Sequence, residues 1–336
     1  MATQIEEISN ISMDEFHNEV LPRGKPLVIR GFVNDWPMVQ AARTSPEAFC
    51  NYVKRFDRGL DVNTVYGPPS TKGRIFYNAD MSDLNSRIEQ KKLGASLDFL
   101  LKNLIVDPAP TLAIQSVVIE RYLPGMQLEN RLSLVSEKVE PRIWIGNKTT
   151  VAAHFDTSDN IACCVAGTRR FTLFPTEQIE NLYIGPFEFT PSGATVSMVD
   201  FDAPDHTRFP KFQQALDNAY QADLEPGDII FIPYMWWHHV KATSDFNALV
   251  NYWWNFNKPS FGDPRNAMLY SILALRDLSP QQLEAWKKLF NFYVFNSDPH
   301  ANEHIPSTAR GILGKITPDI MTSLKTTLIK ALNRIM

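Results

Sequence analysis

Between residues 111 and 258 the chain alternates short apolar runs with turn residues. The runs 112–119, 142–146, 161–165, 171–174, 228–232 and 248–254 each have the length of a strand, and glycines and prolines separate them. Repeated short β-type segments at this spacing predict an all-β sandwich or barrel. The flanks have a different rhythm. In residues 1–110, Pro26-Leu27-Val28-Ile29-Arg30-Gly31-Phe32 reads as a short buried strand ending at a glycine. Ser45-Pro46-Glu47 opens a helix through Arg55, because serine caps and proline suits the first turn. Leu97, Leu100, Leu101 and Leu104 fall at helical spacing within 94–105, with Ser96 as the expected cap. After Pro259 helices are predicted over 266–275, over 279–292 behind Ser279-Pro280, and over 318–335. In the last of these Ile320, Leu324, Leu328, Leu332 and Ile335 form one stripe, which suits packing on the barrel or a homodimer of paired C-terminal helices.

The expected organisation is therefore a mixed α/β region over 1–110 packing on the core, a β core over 111–258 and a helical region over 259–336. The 336 residues are enough to bury a substantial core, and 44% hydrophobic with 21% charged residues is ordinary for a globular protein. A net charge of −4 advertises no nucleic-acid partner. The opening MATQIEEISNISMDEF carries acids and no apolar stretch, unlike a signal peptide, and no apolar run is long enough to span a membrane. Cys50, Cys163 and Cys164 are too few, and too close in the case of the pair, for a disulfide framework. A cytoplasmic protein is expected. No GxGxxG or GxxxxGK[ST] loop occurs, which removes the main support for nucleotide binding.

Candidate chemistry sits in three places. In Ala153-His154-Phe155-Asp156, an extended backbone puts His154 and Asp156 on one face, where both can reach one metal ion. Such a triplet alone is weak, since a surface histidine beside a turn aspartate is commonplace. The second place is Glu225-Pro226-Gly227-Asp228, a turn feeding an apolar strand that ends at Pro233 and runs into Tyr234-Met235-Trp236-Trp237-His238-His239. Only one of the two adjacent histidines can face a given point, and spacing does not choose between them. Two histidines and a carboxylate on one face of an octahedron suit non-heme Fe(II) with positions left open, although Mn, Co, Ni and Zn also accept such ligands. The third place is Gly167-Thr168-Arg169-Arg170, a turn into a strand with two arginines. A dicarboxylate needs a cationic anchor, and arginine supplies parallel hydrogen bonds; surface solvation is the commoner fate of both side chains. Asn160 lies near the first ligands, and Asn251 sits in the aromatic strand Asn251-Tyr252-Trp253-Trp254. A polar side chain in such a stretch must find a hydrogen-bond partner, in a site or in the core.

Taken together these residues resemble the cupin-like Jumonji-C family of 2-oxoglutarate oxygenases, in particular the subgroup of the asparaginyl hydroxylase that inhibits hypoxia-inducible factor. The match runs through His154-x-Asp156, Asn160, Gly167-x-Arg169-Arg170, Leu173-Phe174-Pro175, Asp200-Phe201-Asp202, Arg208-Phe209-Pro210, Pro226-Gly227-Asp228, Ile232-Pro233, Trp236-Trp237-His238-His239 and Asn251-Tyr252-Trp253. Lys25 to Phe32 and Asp35-Trp36-Pro37 resemble the family's N-terminal region.

The resemblance implies a mainly β fold with flanking helices, a double-stranded β-helix (jelly roll) core and a C-terminal helical region. It implies His154, Asp156 and His238, rather than His239, as Fe(II) ligands. It implies Arg169 as the anchor of 2-oxoglutarate where the subgroup has lysine, with Asn160 and Asn251 beside the co-substrate. Val151 occupies a place where the family often carries a hydroxyl, which Thr149 or Thr150 could supply, and the stretch 112–115 lacks a tyrosine that completes the subgroup's site. The implied reaction consumes 2-oxoglutarate and dioxygen, hydroxylates a C–H bond of a peptide or small-molecule substrate, and releases succinate and CO2. The alternative is a non-catalytic metal-binding cupin acting as a binding module, since fold does not establish activity. Tyr234, Trp236, Trp237 and Trp253 offer either a substrate rim or core.

Overall fold

Strands between Arg142 and Trp254 close into two facing sheets. Ile229–Ile232, Asp159–Ala166, Asn247–Trp254 and Arg142–Gly146 lie side by side in a nine-stranded sheet, while Tyr220–Leu224, Arg169–Phe174, Trp237–Ala242 and Thr150–His154 lie side by side in a six-stranded one. Neighbours within each set of four are antiparallel. Because most successive strands cross to the opposite sheet, the eight form a jelly roll, as the β patterning and the motif resemblance imply. The computed structural model describes residues 2–191, 193–255, 262–296, 298 and 300–333. Contacts divide the chain into Met1–Asn255 and Phe256–Met336.

Three apolar layers hold the first unit. Ala162, Cys164, Phe171, Leu173, Ile230, Val240 and Leu249 fill the space between the sheets. Ile143, Ile161, Cys163, Phe231 and Val250 project from the other face of the nine-stranded sheet onto Phe49, Val53 and Leu97 of the N-terminal helices Pro46–Lys54 and Leu93–Lys102. Cys163 and Cys164 thus point to opposite layers, as strand alternation requires. On the outer face of the six-stranded sheet, Phe174 and Trp237 pack against Phe201, Phe209 and Phe212. The segment 193–211, polar in sequence, is therefore anchored by phenylalanines spaced too irregularly to read as an element.

Local sequence explains the edges. Ser45 caps Pro46–Lys54 through the Ala48 amide, as expected. Ser96 does not cap its helix: Leu93–Lys102 starts earlier, and Ser96 is buried inside it, sharing a hydrogen bond with the Thr64 hydroxyl at 3.2 Å. The Glu-Pro-Gly-Asp turn is held by Asp228, which accepts from Arg30 at 2.6 Å, the Gly31 amide at 2.8 Å and the Glu225 amide at 3.0 Å. That carboxylate ties the short strand Leu27–Ile29 to Ile229–Ile232.

In the second unit, Asp263 caps Pro264–Leu275, a Ser279–Gln282 capping box opens Pro280–Tyr293, and Thr317 caps Pro318–Leu332. None of these helices buries a residue. Ile335 of the expected stripe lies outside the described residues. Among the described residues no helix is long and apolar enough to cross a membrane.

Candidate active site

His154 is the last residue of Thr150–His154, and its ladder partner across the sheet is His238. Directly opposed residues share a face, so the two imidazoles meet with ring centroids 4.2 Å apart. Asp156 lies beyond the strand end, so β alternation alone does not place it. Its carboxylate accepts from the Trp253 indole at 2.9 Å, and its carbonyl accepts from the Met235 amide at 3.0 Å. Met235 takes φ +64, in the left-handed region that costs a non-glycine residue about 1 kcal/mol or more. That turn, tied also by the Tyr234 amide to Asp159 at 3.0 Å, brings the segment carrying His238 over the one carrying Asp156.

The donor atoms of His154, Asp156 and His238 all lie within 4.8 Å of one another. Nδ1 of His154 is 2.9 Å from the Ala152 carbonyl, and Nδ1 of His238 is 3.1 Å from the Trp236 carbonyl. A carbonyl only accepts, so Nδ1 donates in both rings and Nε2 is the nitrogen left to face a metal. Burial pushes the His238 imidazole down to about 4, with His154 adding and Asp156 opposing. Burial also pushes the Asp156 carboxyl up, but the two imidazoles and hydrogen bonds from Trp253 and Asn160 outweigh it and hold the group below its ordinary range. At neutral pH Asp156 and His238 therefore offer a carboxylate and an unprotonated nitrogen, the donor chemistry that fits a divalent transition metal.

His239 points the other way. It stacks on Phe201 with centroids 4.3 Å apart and an interplanar angle of 11°, in the layer that also holds Trp237. The choice of His238, which spacing left open, thus follows from strand alternation once the register is known. Trp237 is core, packed edge-on against Phe155 at 4.8 Å, and the Trp236 indole donates to the Gly24 carbonyl at 3.1 Å. Tyr234 is exposed, and of the four aromatics considered for a substrate rim Trp253 alone lines the cavity beside the ligands.

That cavity, about 160 Å³, lies between the sheets. Its walls include the three candidate ligands together with Asn160, Arg169 and Asn251. Arg169 starts its strand one residue past the turn at Gly167, where φ is +66 and an added Cβ would sit 2.2 Å from the Phe246 carbonyl oxygen. Only glycine fits that turn. The strand then divides the two arginines: Arg170 faces out and grips Asp223 at 2.7 and 2.8 Å, while Arg169 is buried with no hydrogen-bond partner for its Nε. Burial pushes the Arg169 guanidinium down to about 10, against which Cys164 opposes, so it remains charged at neutral pH. Asn251 donates to Asn160 at 2.8 Å, and both are buried.

Thr150 is the candidate that the structure does not bring to this cavity. It pairs with Lys241 and Arg74 and does not line the walls, whereas Thr149 and Val151 do. Neighbours in a strand face opposite sides, so only one of the two threonines can face in. Gln115, from the 112–115 stretch where the subgroup carries its site tyrosine, and Trp144, which no motif marked, line the cavity too; both come from strands whose inward face is known only once the sheet is assembled.

Residues 13–259 match the family model described as a cupin-like domain. The chain belongs to that family. Its curated relatives carry the Jumonji-C domain or act under other names. JmjC domain-containing protein D of Dictyostelium discoideum is 27% identical over 244 residues, covering 69% of this chain and 52% of that protein. Lysine-specific demethylase 8 of Xenopus tropicalis is 26% identical over 257 residues, 75% of this chain and 53% of that protein. The tRNA wybutosine-synthesizing protein 5 of Gallus gallus is 26% identical over 267 residues, 75% and 77% respectively. The chain spans about half the length of the first two. These likenesses bear out the cupin-like Jumonji-C assignment; the finer likeness to the asparaginyl hydroxylase rests on the motif residues alone.

Proposed function

We propose that this chain is an Fe(II)- and 2-oxoglutarate-dependent oxygenase that hydroxylates a C–H bond of a protein, peptide or small-molecule substrate. One observation carries the reading: a buried arginine with an unpartnered nitrogen lines the same cavity as a His-Asp-His cluster. A buried, unpaired guanidinium is unfavourable unless an anion completes it. A dicarboxylate reaching from Arg169 toward the ligand cluster answers both features.

In this reading His154, Asp156 and His238 would hold Fe(II) at the wall of the cavity. The metal supplies activation of dioxygen coupled to oxidative decarboxylation of 2-oxoglutarate, so that one oxygen atom enters succinate and the other the substrate. Trp253 and Asn160 keep Asp156 ionised and aimed. Asn251 fixes the Asn160 amide. Arg169 grips the far carboxylate of the co-substrate. Ile75, Ala152, Val196 and Val240 wall the space with apolar surface that limits water.

Fe(II)-loaded protein supplied with 2-oxoglutarate, oxygen and pools of peptides and metabolites should release succinate and yield a product heavier by one oxygen atom. Absence of succinate in every pool, with 2-oxoglutarate unconsumed, contradicts the proposal. The relatives named for a lysine demethylase and for tRNA wybutosine synthesis make methylated lysine peptides and tRNA the two further substrates for the screen.

Two lesser proposals accompany it. The exposed Leu328 and Leu332 of Pro318–Leu332, with Trp286, Leu289 and Phe292 of Pro280–Tyr293, support homodimer formation by the helical unit. Cys50, Cys163 and Cys164 are free and buried, in keeping with a reducing cytoplasm.

A further inference from the structure

We infer that Arg142 selects the primary substrate: beside the catalytic cavity its guanidinium binds a carboxylate side chain of an acidic peptide, close to the residue that is hydroxylated. The inference rests on the oxygenase reading above and names the substrate class for it.

Strand register places Arg142 there. Its ladder partner is Asn251, which lines the cavity. Directly opposed residues share a face, and so do residues two apart in one strand. Arg142 therefore lies on the cavity side of Arg142–Gly146, in line with Trp144 and Gly146 of the cavity wall. Its side chain lines a surface groove, together with Ser116, Lys138, Glu140, Trp253 and Trp254. Trp253, packed edge-on against Trp144 with centroids 6.2 Å apart, is a wall that groove and cavity share. The same indole donates to Asp156, so the groove runs up to a hydrogen-bond partner of a candidate metal ligand.

The neighbouring backbone is shaped for this division. The pairing of Thr111–Val118 with Arg142–Gly146 slips between Ile114 and Val117, and Ser116 takes φ +53. That conformation is unfavourable for a residue with a side chain, and bulges re-aim side chains beside active sites. Here two consecutive residues go to the two spaces: Gln115 lines the cavity and Ser116 the groove. The Ser116 hydroxyl accepts from Arg142 Nη1 at 3.1 Å and steadies the guanidinium. Among the described residues no ion pair engages Arg142 or Lys138.

Charge and length choose the partner. An arginine fork matches a carboxylate with two parallel hydrogen bonds. A nucleic acid is held through many phosphates by many cations. This groove offers two cations, with Glu140 among them, on a chain of net charge −4. Val139 carries the groove into a second hollow lined by Leu128, Pro141 and Tyr252. An extended peptide can follow both, whereas a small metabolite cannot.

The test immobilises full-length protein loaded with Mn(II) and 2-oxoglutarate and offers it random peptide pools enriched in Asp and Glu, in Asn and Gln, or in Lys and Arg. The wild type should retain the acidic pool about tenfold better than the amide pool. Arg142→Gln should bring the two within about twofold, and Arg142→Glu should shift the preference to the basic pool. Titration of 2-oxoglutarate runs alongside. Equal retention of acidic and amide pools by the wild type, or a preference that persists in Arg142→Gln, overturns the inference; where 2-oxoglutarate still binds, the functional reading stands. Tighter retention of tRNA than of the acidic pool also overturns it. If the Mn(II)-loaded wild type binds no 2-oxoglutarate, the functional reading fails and the role of Arg142 in it fails too. Should Arg142→Gln not fold, Lys138→Glu, at an exposed position of the same groove, should cut the acidic preference about twofold or more; an unchanged preference there overturns the inference.

Discussion

The Trp253 indole donates to Asp156 Oδ2 at 2.9 Å, so a tryptophan of the last barrel strand orients the carboxylate of the candidate metal site. Outer hydrogen bonds of this kind tune metal affinity about 10–100-fold. Trp253→Phe should keep the packing against Trp144 and weaken Mn(II) binding by that factor, measured by titration of the metal-free protein. Unchanged affinity would mean that Asp156 is held by other contacts.

Arg169 should trade stability for binding. Its guanidinium is buried, and burial brings it down to about 10 from 12.5, which corresponds to a penalty on the order of 3 kcal/mol for keeping it charged in the metal-free fold. Arg169→Met removes that penalty at similar volume. The variant is expected to melt at higher temperature than the wild type, to bind metal normally and to lose its response to 2-oxoglutarate. A lower melting temperature would show that Arg169 has partners that stabilise it.

Acid should weaken the metal-free protein through two histidines. Burial holds both His238 and His239 down to about 4 from 6.5. The unfolded chain takes up protons between those values that the folded chain refuses. The histidine contribution is therefore level above the unfolded value, falls as pH drops through that window, and levels again below about 4, each histidine accounting for up to about 3 kcal/mol. His239→Phe, which keeps a ring against Phe201, should remove about half of the loss in denaturant titrations between pH 7 and 4.5.

Much of this was legible in the chain. Short apolar runs gave the barrel strands, since strands covered on both faces are apolar at successive positions rather than alternating, and Ser45, Ser279 and the Glu-Pro-Gly-Asp turn set their elements by local chemistry. His154, Asp156 and Arg169 could be proposed because their residue types suit a metal and a dicarboxylate. The rest depended on pairing across the sheet. His238 wins over His239 because its register partner is His154. Thr149 faces in and Thr150 does not because alternation is set by the neighbouring strands. Trp144 and Gln115 reach the cavity from the two strands that precede Thr150–His154, and which of their faces turns inward is set only when the sheet is paired. Phe201 covers His239 from a segment whose polar composition hides its anchors.

Homodimer formation is expected to depend on the C-terminal helix. Deleting residues after Thr317 should halve the mass measured by light scattering, while metal binding by the remaining chain is retained. Equal monomer masses for both forms would remove this proposal.

Calorimetric titration of 2-oxoglutarate into Mn(II)-loaded protein tests the central claim most directly. The account predicts binding that needs the metal and Arg169 together: heat with loaded wild type, and none with the metal-free protein, with Asp156→Ala or with Arg169→Ala. Equal binding by the metal-free protein, or no heat from the loaded wild type, would contradict it.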